Sequence, residues 1–154
     1  MATLAIRNCK FIPELTEGTD LTCGDLLFCD GVIAKIEACG ADFGAVDQEV
    51  DAGGMTAMPG LIDAHIHLTM TRDLISECYF VPDASRALDT MHYAQTLLGY
   101  GYTTVRDCGE DKAFTAIAAR NAINAGQFMG PRILCSGITL TPTEAGSTPD
   151  LEFG

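Results

Sequence analysis

A chain of 154 residues is the size of one domain or of two small ones. Apolar residues make up 47% and charged residues 19%, which allows a buried core and argues against disorder. The net charge of −12 argues against a nucleic-acid partner and against an anionic membrane surface, since both call for a basic face; solubility is its plain role.

The cysteines number seven, at positions 9, 23, 29, 39, 78, 108 and 135, with no C-x-x-C among them. Several lie in apolar runs, such as Cys29 in "LLFCD" and Cys135 in "RILCSG", where they read as small core residues. The N-terminus "MATLAIRNCKF" has no long apolar stretch with a cleavage site, and no run approaches the length of a membrane span. Together these features point to a reduced, cytoplasmic setting.

Residues 1–57 read as a first domain of short strands. "TLAIRNCKFI" mixes alternation with β-branched residues. "GDLLFCDGVIAKIEACG" predicts two strands joined at Asp30-Gly31, a strong hairpin signal. "EVDAGGMTAMPG" is short, glycine-rich and extended. The expectation is a small antiparallel sheet or half of a sandwich.

Residues 58–154 read as a second domain with a different rhythm. "GLIDAHIHL" predicts an apolar strand, followed by an irregular connection. "DASRALDTMHYAQTLLGYG" predicts a helix with Ala84, Ala87, Leu88, Met91, Ala94 and Leu98 on its apolar stripe, Asp83 as N-cap and Gly99 or Gly101 as its stop. "TTVRDCG" is a β-branched strand. "DKAFTAIAARNAINAG" is helical again, with Phe114, Ile117, Ala118 and Ala122 on one stripe and Gly126 at the C-cap. "GPRILCSG" is a third strand. The order β-α-β-α-β predicts an α/β fold with a parallel sheet and helices packed on it.

Two of the three histidines fall in one strand, His65 and His67, separated by Ile66. Side chains alternate across a strand, so Asp63, His65 and His67 are expected on one side and Ile62, Ala64 and Ile66 on the other. Imidazoles two steps apart can lean toward a single ion. The end of a parallel strand is also where α/β enzymes place their chemistry. The competing account is a polar strand face that happens to carry histidine, because H-x-H alone is a weak motif.

On these residues the chain resembles the amidohydrolase superfamily. "PGLIDAHIH" is similar to that family's metal-binding first barrel strand. "GYTTVRDCG" and "GPRILCSGITLTPT" resemble the second and third strands of its imidazolonepropionase and Xaa-Pro dipeptidase-like branch. The strands ending in "DAGGMTAMPG" resemble the small β-sandwich that precedes the barrel. The resemblance implies the first β-α-β-α-β part of a TIM (β/α)8 barrel, with the barrel incomplete. It implies His65 and His67 as ligands of a divalent metal, usually zinc, and Asp63 as a group that orients those ligands, with capping or pairing inside the barrel as its alternative role.

The implied activity is metal-dependent hydrolysis of an amide-like C–N bond in a dipeptide, cyclic amide or related small molecule. The family's remaining ligands, from later strands, match nothing here, and the loop "PTEAGSTPDLEFG" lacks the family's Gly-Gly-His turn. The chain is therefore expected to be the N-terminal part of such an enzyme, not competent alone and associated with another chain or with the remainder of a barrel. The alternative is a non-catalytic truncated homologue acting as a binding or assembly module.

Arg106 and Asp107 end the second barrel-type strand and are candidates for the active-site face, with a local ion pair as the bland account. His92 reads as a helix-surface residue and Cys108 as packing rather than a nucleophile. Glu144 and Asp150 receive no role.

Overall fold

Asp30 and Gly31 both take positive φ, 50° and 81°, and join two strands as a two-residue hairpin. Positive φ at both central residues belongs to the turn whose twist matches that of paired strands, and glycine adopts it without steric cost. The computed structural model describes residues 2–69, 80–110 and 113–139 and divides into two units, Met1–Pro59 and Gly60–Gly154.

In the first unit the hairpin strands are β2 (Cys23–Cys29) and β3 (Val32–Glu37). They join β1 (Thr3–Lys10) and β4 (Gln48–Asp51) in the order β3-β2-β1-β4. β1 pairs antiparallel with β2 but parallel with β4, so the sheet is mixed, not purely antiparallel as expected. The cause is the connection after β3, which crosses the sheet and delivers β4 to the free edge of β1.

A short 3-10 turn, Pro13–Leu15, follows β1. The unit's core holds Cys9, Phe11, Leu26 and Ala52. Cys9 is thus the core cysteine here, while Cys23 and Cys39 are exposed and Cys29 is half-buried.

A bulge interrupts β1 between Ile6 and Cys9, with Asn8 at φ 56°. It is held by Asp25, which is buried. Asp25 Oδ1 accepts the Asn8 N–H at 2.9 Å, and Oδ2 accepts Arg7 Nη1 at 3.0 Å and the Gly40 N–H at 2.9 Å.

The second unit follows the expected β-α-β-α-β order. Its elements are β5 (Leu61–Ile66), α1 (Asp83–Gly99), β6 (Tyr102–Asp107), α2 (Thr115–Asn124) and β7 (Arg132–Cys135). The three strands are parallel in the order β5-β6-β7, and among the described residues the sheet is open, not a closed barrel. One face is covered by the helices. Ile66, Leu68, Met91, Ala94, Leu97, Val105, Ala116, Ala119 and Ile133 form the core between sheet and helices.

Both helices sit rotated from the expected stripes. In α1 the buried residues are Arg86, Thr90, Met91, Ala94 and Leu97, and Leu88 is exposed. In α2 they are Thr115, Ala116 and Ala119, while Phe114 lies outside the helix at φ 52° and is exposed. In α2 the buried side chains are all small, whereas α1 also buries Met91 and Leu97. Polar groups enter the buried stripe because they pair: Thr90 Oγ1 donates to Thr115 Oγ1 at 3.1 Å between the two helices.

Asp83 is the first helical residue, not the N-cap. Pro82 holds that position and accepts the Ser85 and Arg86 N–H groups. Ala125 is the C-cap of the second helix, and Gly126, expected there, lies one residue beyond at φ 71°, its N–H donating to Ile123 O at 2.9 Å.

Most of the irregular connection after β5, Cys78, the loop from residue 140 onward, Glu144 and Asp150 lie outside the described residues. Among the described residues no helix is long and apolar enough to cross a membrane.

Candidate metal centre

β5 does not alternate strictly. Asp63 aligns with Val105 and Ile66 with Asp107, three steps on β5 against two on β6. The extra residue is a bulge, and it changes which side chains share a face. Val105, Ile66 and Asp107 are all buried toward the helices, so Asp63 falls in the register of the covered face and not beside the histidines as strict alternation predicts. A local hydrogen bond accounts for the break: Asp63 Oδ1 accepts the His65 N–H at 3.1 Å, a group a regular parallel ladder would pair with a neighbouring strand.

Past the bulge, Ile66 and Leu68 are buried while His65 is exposed and His67 half-buried. The two imidazole rings come together edge to face, with centroids 5.4 Å apart and planes at 78°. His67 Nδ1 lies 2.9 Å from Gly109 O. A carbonyl oxygen only accepts, so Nδ1 carries a ring proton, and Nε2 is the nitrogen left to meet an ion. This is how a metal-ligating histidine is commonly oriented, with one nitrogen tied to an oxygen acceptor and the other left for the ion.

The fit to one ion can be tested by distance. Two rings bound through nitrogen to a tetrahedral zinc at roughly 2.0–2.1 Å hold their centroids roughly 5 Å apart; the observed separation is 5.4 Å. The spacing of the ring centres is close to that of two imidazoles on one ion. Among the described residues no group of three or more His, Cys, Asp or Glu side chains comes together as a metal site.

Arg106 and Asp107 part company. Adjacent strand residues face opposite sides: Arg106 is exposed on the open face, and Asp107 is buried on the helix side. No ion pair joins them. Asp107 Oδ1 accepts the Gly109 N–H at 2.9 Å, and Gly109 O in turn holds His67. Burial pushes the Asp107 carboxyl above the usual carboxylate range, against the pull of the Gly109 and Leu68 N–H groups and of His67.

Gly109 is the residue that sequence reasoning missed. Its φ of +151° is one that side chains rarely adopt, and a methyl group there would collide with Thr139 Oγ1. The only trace in the sequence is the glycine of "RDCG" directly after a strand. Glu110 was also passed over: its Oε2 accepts the Ala116 N–H at 2.8 Å, which satisfies a donor at the start of α2 where negative charge is favoured. Cys108 is half-buried with its Sγ near two backbone carbonyls, Ala64 O and Arg106 O, in a packing role, and His92 is exposed on α1.

The model of the amidohydrolase family matches residues 56–152, more than half of the chain. An L-hydantoinase of Paenarthrobacter aurescens is 35% identical over 68 residues, covering 44% of this chain and 14% of that protein. A "probable imidazolonepropionase" of Danio rerio is 28% identical over 112 residues, 70% of this chain and 22% of that protein. The chain thus matches less than a quarter of the length of these curated relatives. Among solved structures, a Xaa-Pro dipeptidase with methionine bound in its active site superposes with a TM-score of 0.77 at 24% identity, covering 99% of this chain and 39% of the other. That likeness speaks for the α/β fold.

Proposed function

We propose, because this chain belongs to the amidohydrolase family, that it serves the metal-dependent hydrolysis of an amide-like C–N bond in a dipeptide, cyclic amide or related small molecule. His65 and His67 are two ligands of a divalent ion, with zinc the best match to paired imidazoles. The first unit is the small β-sandwich domain of such enzymes. The second is the opening β-α-β-α-β of a (β/α)8 barrel, whose working face lies at the strands' C-terminal ends. The family's relatives named above support a small substrate. The paucity of paired cysteine motifs supports a cytoplasmic setting.

The observation that carries the reading is the hydrogen bond from His67 Nδ1 to Gly109 O beside the second ring. When bound, zinc lowers the pKa of its water toward 7 and polarises a carbonyl. The chain's own residues prepare for that. His67 is fixed in one tautomer by Gly109. His65 is set by the Asp63 carboxylate on its backbone, so Asp63 supports the ligands through the chain rather than through a ring nitrogen. Asp107 holds Gly109 from beneath. Arg106, on the open face, is placed to meet a polar group of the substrate.

A catalytic zinc takes about three protein ligands and an open position. The described residues bring two together, His65 and His67. The strands β5 and β7 are open edges among the described residues, which favours association with another chain.

One observation favours a second reading, a non-catalytic binding or assembly module: the lack of a third ligating side chain among the described residues. Cobalt(II) titration followed by visible absorption separates the two. Under the first reading native chain binds one ion and the His65→Ala and His67→Ala variants lose it with their circular dichroism unchanged. Equal binding by the double variant refutes the site, and no binding by the native chain selects the module.

A further inference from the structure

The first unit carries a second pair of soft side chains, away from the histidines. The last register pair of the hairpin at its open end is Asp25 with Glu37. Cys23 opens β2 two residues before Asp25, and Cys39 lies in the turn two residues past Glu37, so both fall at this end of the hairpin. Both thiols are exposed.

Two further observations bring them close. Gly40, which directly follows Cys39, donates its N–H to Asp25 Oδ2 at 2.9 Å, and Asp25 lies two residues from Cys23 on the same face of β2. Between them, a methyl group at Gly24 would strike the Glu37 carbonyl oxygen and come within 2.8 Å of Phe11 Cε2, so the backbones approach tightly here. The Cys39 turn is also closed by the Ala41 N–H on Ala38 O at 3.2 Å. A disulfide accepts Cα atoms about 4.4–6.8 Å apart, a span in keeping with chains held this tightly.

We propose that Cys23 and Cys39 form a reversible dithiol–disulfide pair that closes the open end of the β2–β3 hairpin. The co-reactant is a small external disulfide of the glutathione type. One protein thiolate attacks it, forming a mixed disulfide and releasing one small thiol. The second protein thiolate attacks the protein sulfur of that mixed disulfide and releases the other small thiol. Two protein thiols are oxidised to one S–S bond, one external disulfide is reduced to two thiols, and the protein's two protons pass to the leaving thiolates.

The Cys39 thiol is held above its ordinary value, first by hydrogen bonding with Cys23 and then by burial and the Cys23 and Asp25 charges. Exchange therefore quickens as pH rises toward 9.

The test is a thiol map of the full chain after incubation with oxidised glutathione, with remaining thiols alkylated and peptides identified by mass spectrometry. The expected product is a Cys23–Cys39 linked peptide, lighter by two hydrogens and reversed by dithiothreitol, with the other five of the seven cysteines alkylated. The oxidised native chain should melt about 12–24 °C higher in the first unit, from closing a loop of about 15 residues. The Cys39→Ser variant should show neither change and should trap glutathione on Cys23. Mixed disulfides on both cysteines of the native chain without closure, or oxidation spread evenly over the other thiols, would overturn the proposal.

Discussion

Replacing Asp25 by asparagine tests what organises the first unit. The carboxylate takes three donors: the Asn8 N–H on one oxygen, and Arg7 Nη1 and the Gly40 N–H on the other. An amide has one acceptor oxygen. Turned to keep Asn8, it presents an NH2 group to two donors; turned the other way, it opposes Asn8. A hydrogen bond to a charged group contributes about 1.5–3 kcal/mol, and breaking one partner of a buried pair costs about 3–5 kcal/mol. Arg7 keeps some exposure and the exposed Glu49 at 3.1 Å, which lowers the penalty. The expected loss is about 3 kcal/mol, a fall of about 12–24 °C in the melting temperature of a unit this small. Circular dichroism melts of Asp25→Asn beside Glu49→Gln measure it; the exposed Arg7–Glu49 contact should be worth less than about 1 kcal/mol. The pH dependence adds a second check. Burial alone would raise the Asp25 carboxyl, but the Asn8 N–H, the Arg7 guanidinium and the Gly40 N–H outweigh it and hold it below the usual carboxylate range. Its stabilisation is then complete above the ordinary value near pH 4, about 3.9, and lost as pH falls through the lowered one. The variant should lack that part of the acid transition. A melt within about 3 °C of the native chain, with the acid limb unchanged, refutes the reasoning.

Other substitutions probe the second unit and the coupling between sites. Gly109→Ala forces a side chain into φ +151° against Thr139 and displaces the carbonyl that orients His67; cobalt(II) affinity should fall about 10–100-fold, read by absorption titration. Leu68→Ala empties a fully buried site in the sheet–helix core and should cost about 2–5 kcal/mol in urea denaturation. Gly31→Val puts a β-branched residue at φ 81° in the hairpin and should lower the first unit's melting temperature, whereas Gly31→Asn should lower it less. Asp25→Asn should also slow closure of the Cys23–Cys39 pair, because the Gly40 anchor is lost, and the glutathione thiol map would show it as a smaller linked-peptide yield at fixed time.

Much of the fold was legible because its signals are local. Asp30-Gly31 specified a turn by backbone conformation alone, and the β-branched run "TTVRD" between two helical stretches specified a parallel strand. What was not legible depends on contacts distant in sequence. The β1–β4 pairing joins Thr3–Lys10 to Gln48–Asp51 across two intervening strands, and nothing in "QEVD" says which edge it will find. The helix stripes were misjudged by ranking side chains by hydrophobicity. In α2 the sheet selects Ala116 and Ala119 for their size, and Phe114 is excluded by its left-handed backbone.

The site shows the same division more sharply. Two histidines with one residue between them are visible to any reader of the chain, and their approach to 5.4 Å follows from strand geometry past residue 65. What gives one of them a defined proton is Gly109, forty-two residues away, acting through a backbone carbonyl that no residue type announces. Asp63 illustrates the converse. Its identity suggested a partner for the rings, yet an aspartate two residues before a histidine can fold back onto that histidine's N–H, and here it does so beside a bulge in the strand. The carboxylate that does reach the rings' support is Asp107, by way of Gly109. Orientation of the His67 ring is therefore a property of β6 and its following loop, while the His65 backbone is set within β5 by Asp63. Exchanging "RDCG" should disturb metal binding as much as exchanging a ligand's neighbours on its own strand, and a graft of "LIDAHIHL" onto another parallel sheet without that loop should leave the His67 ring free to turn.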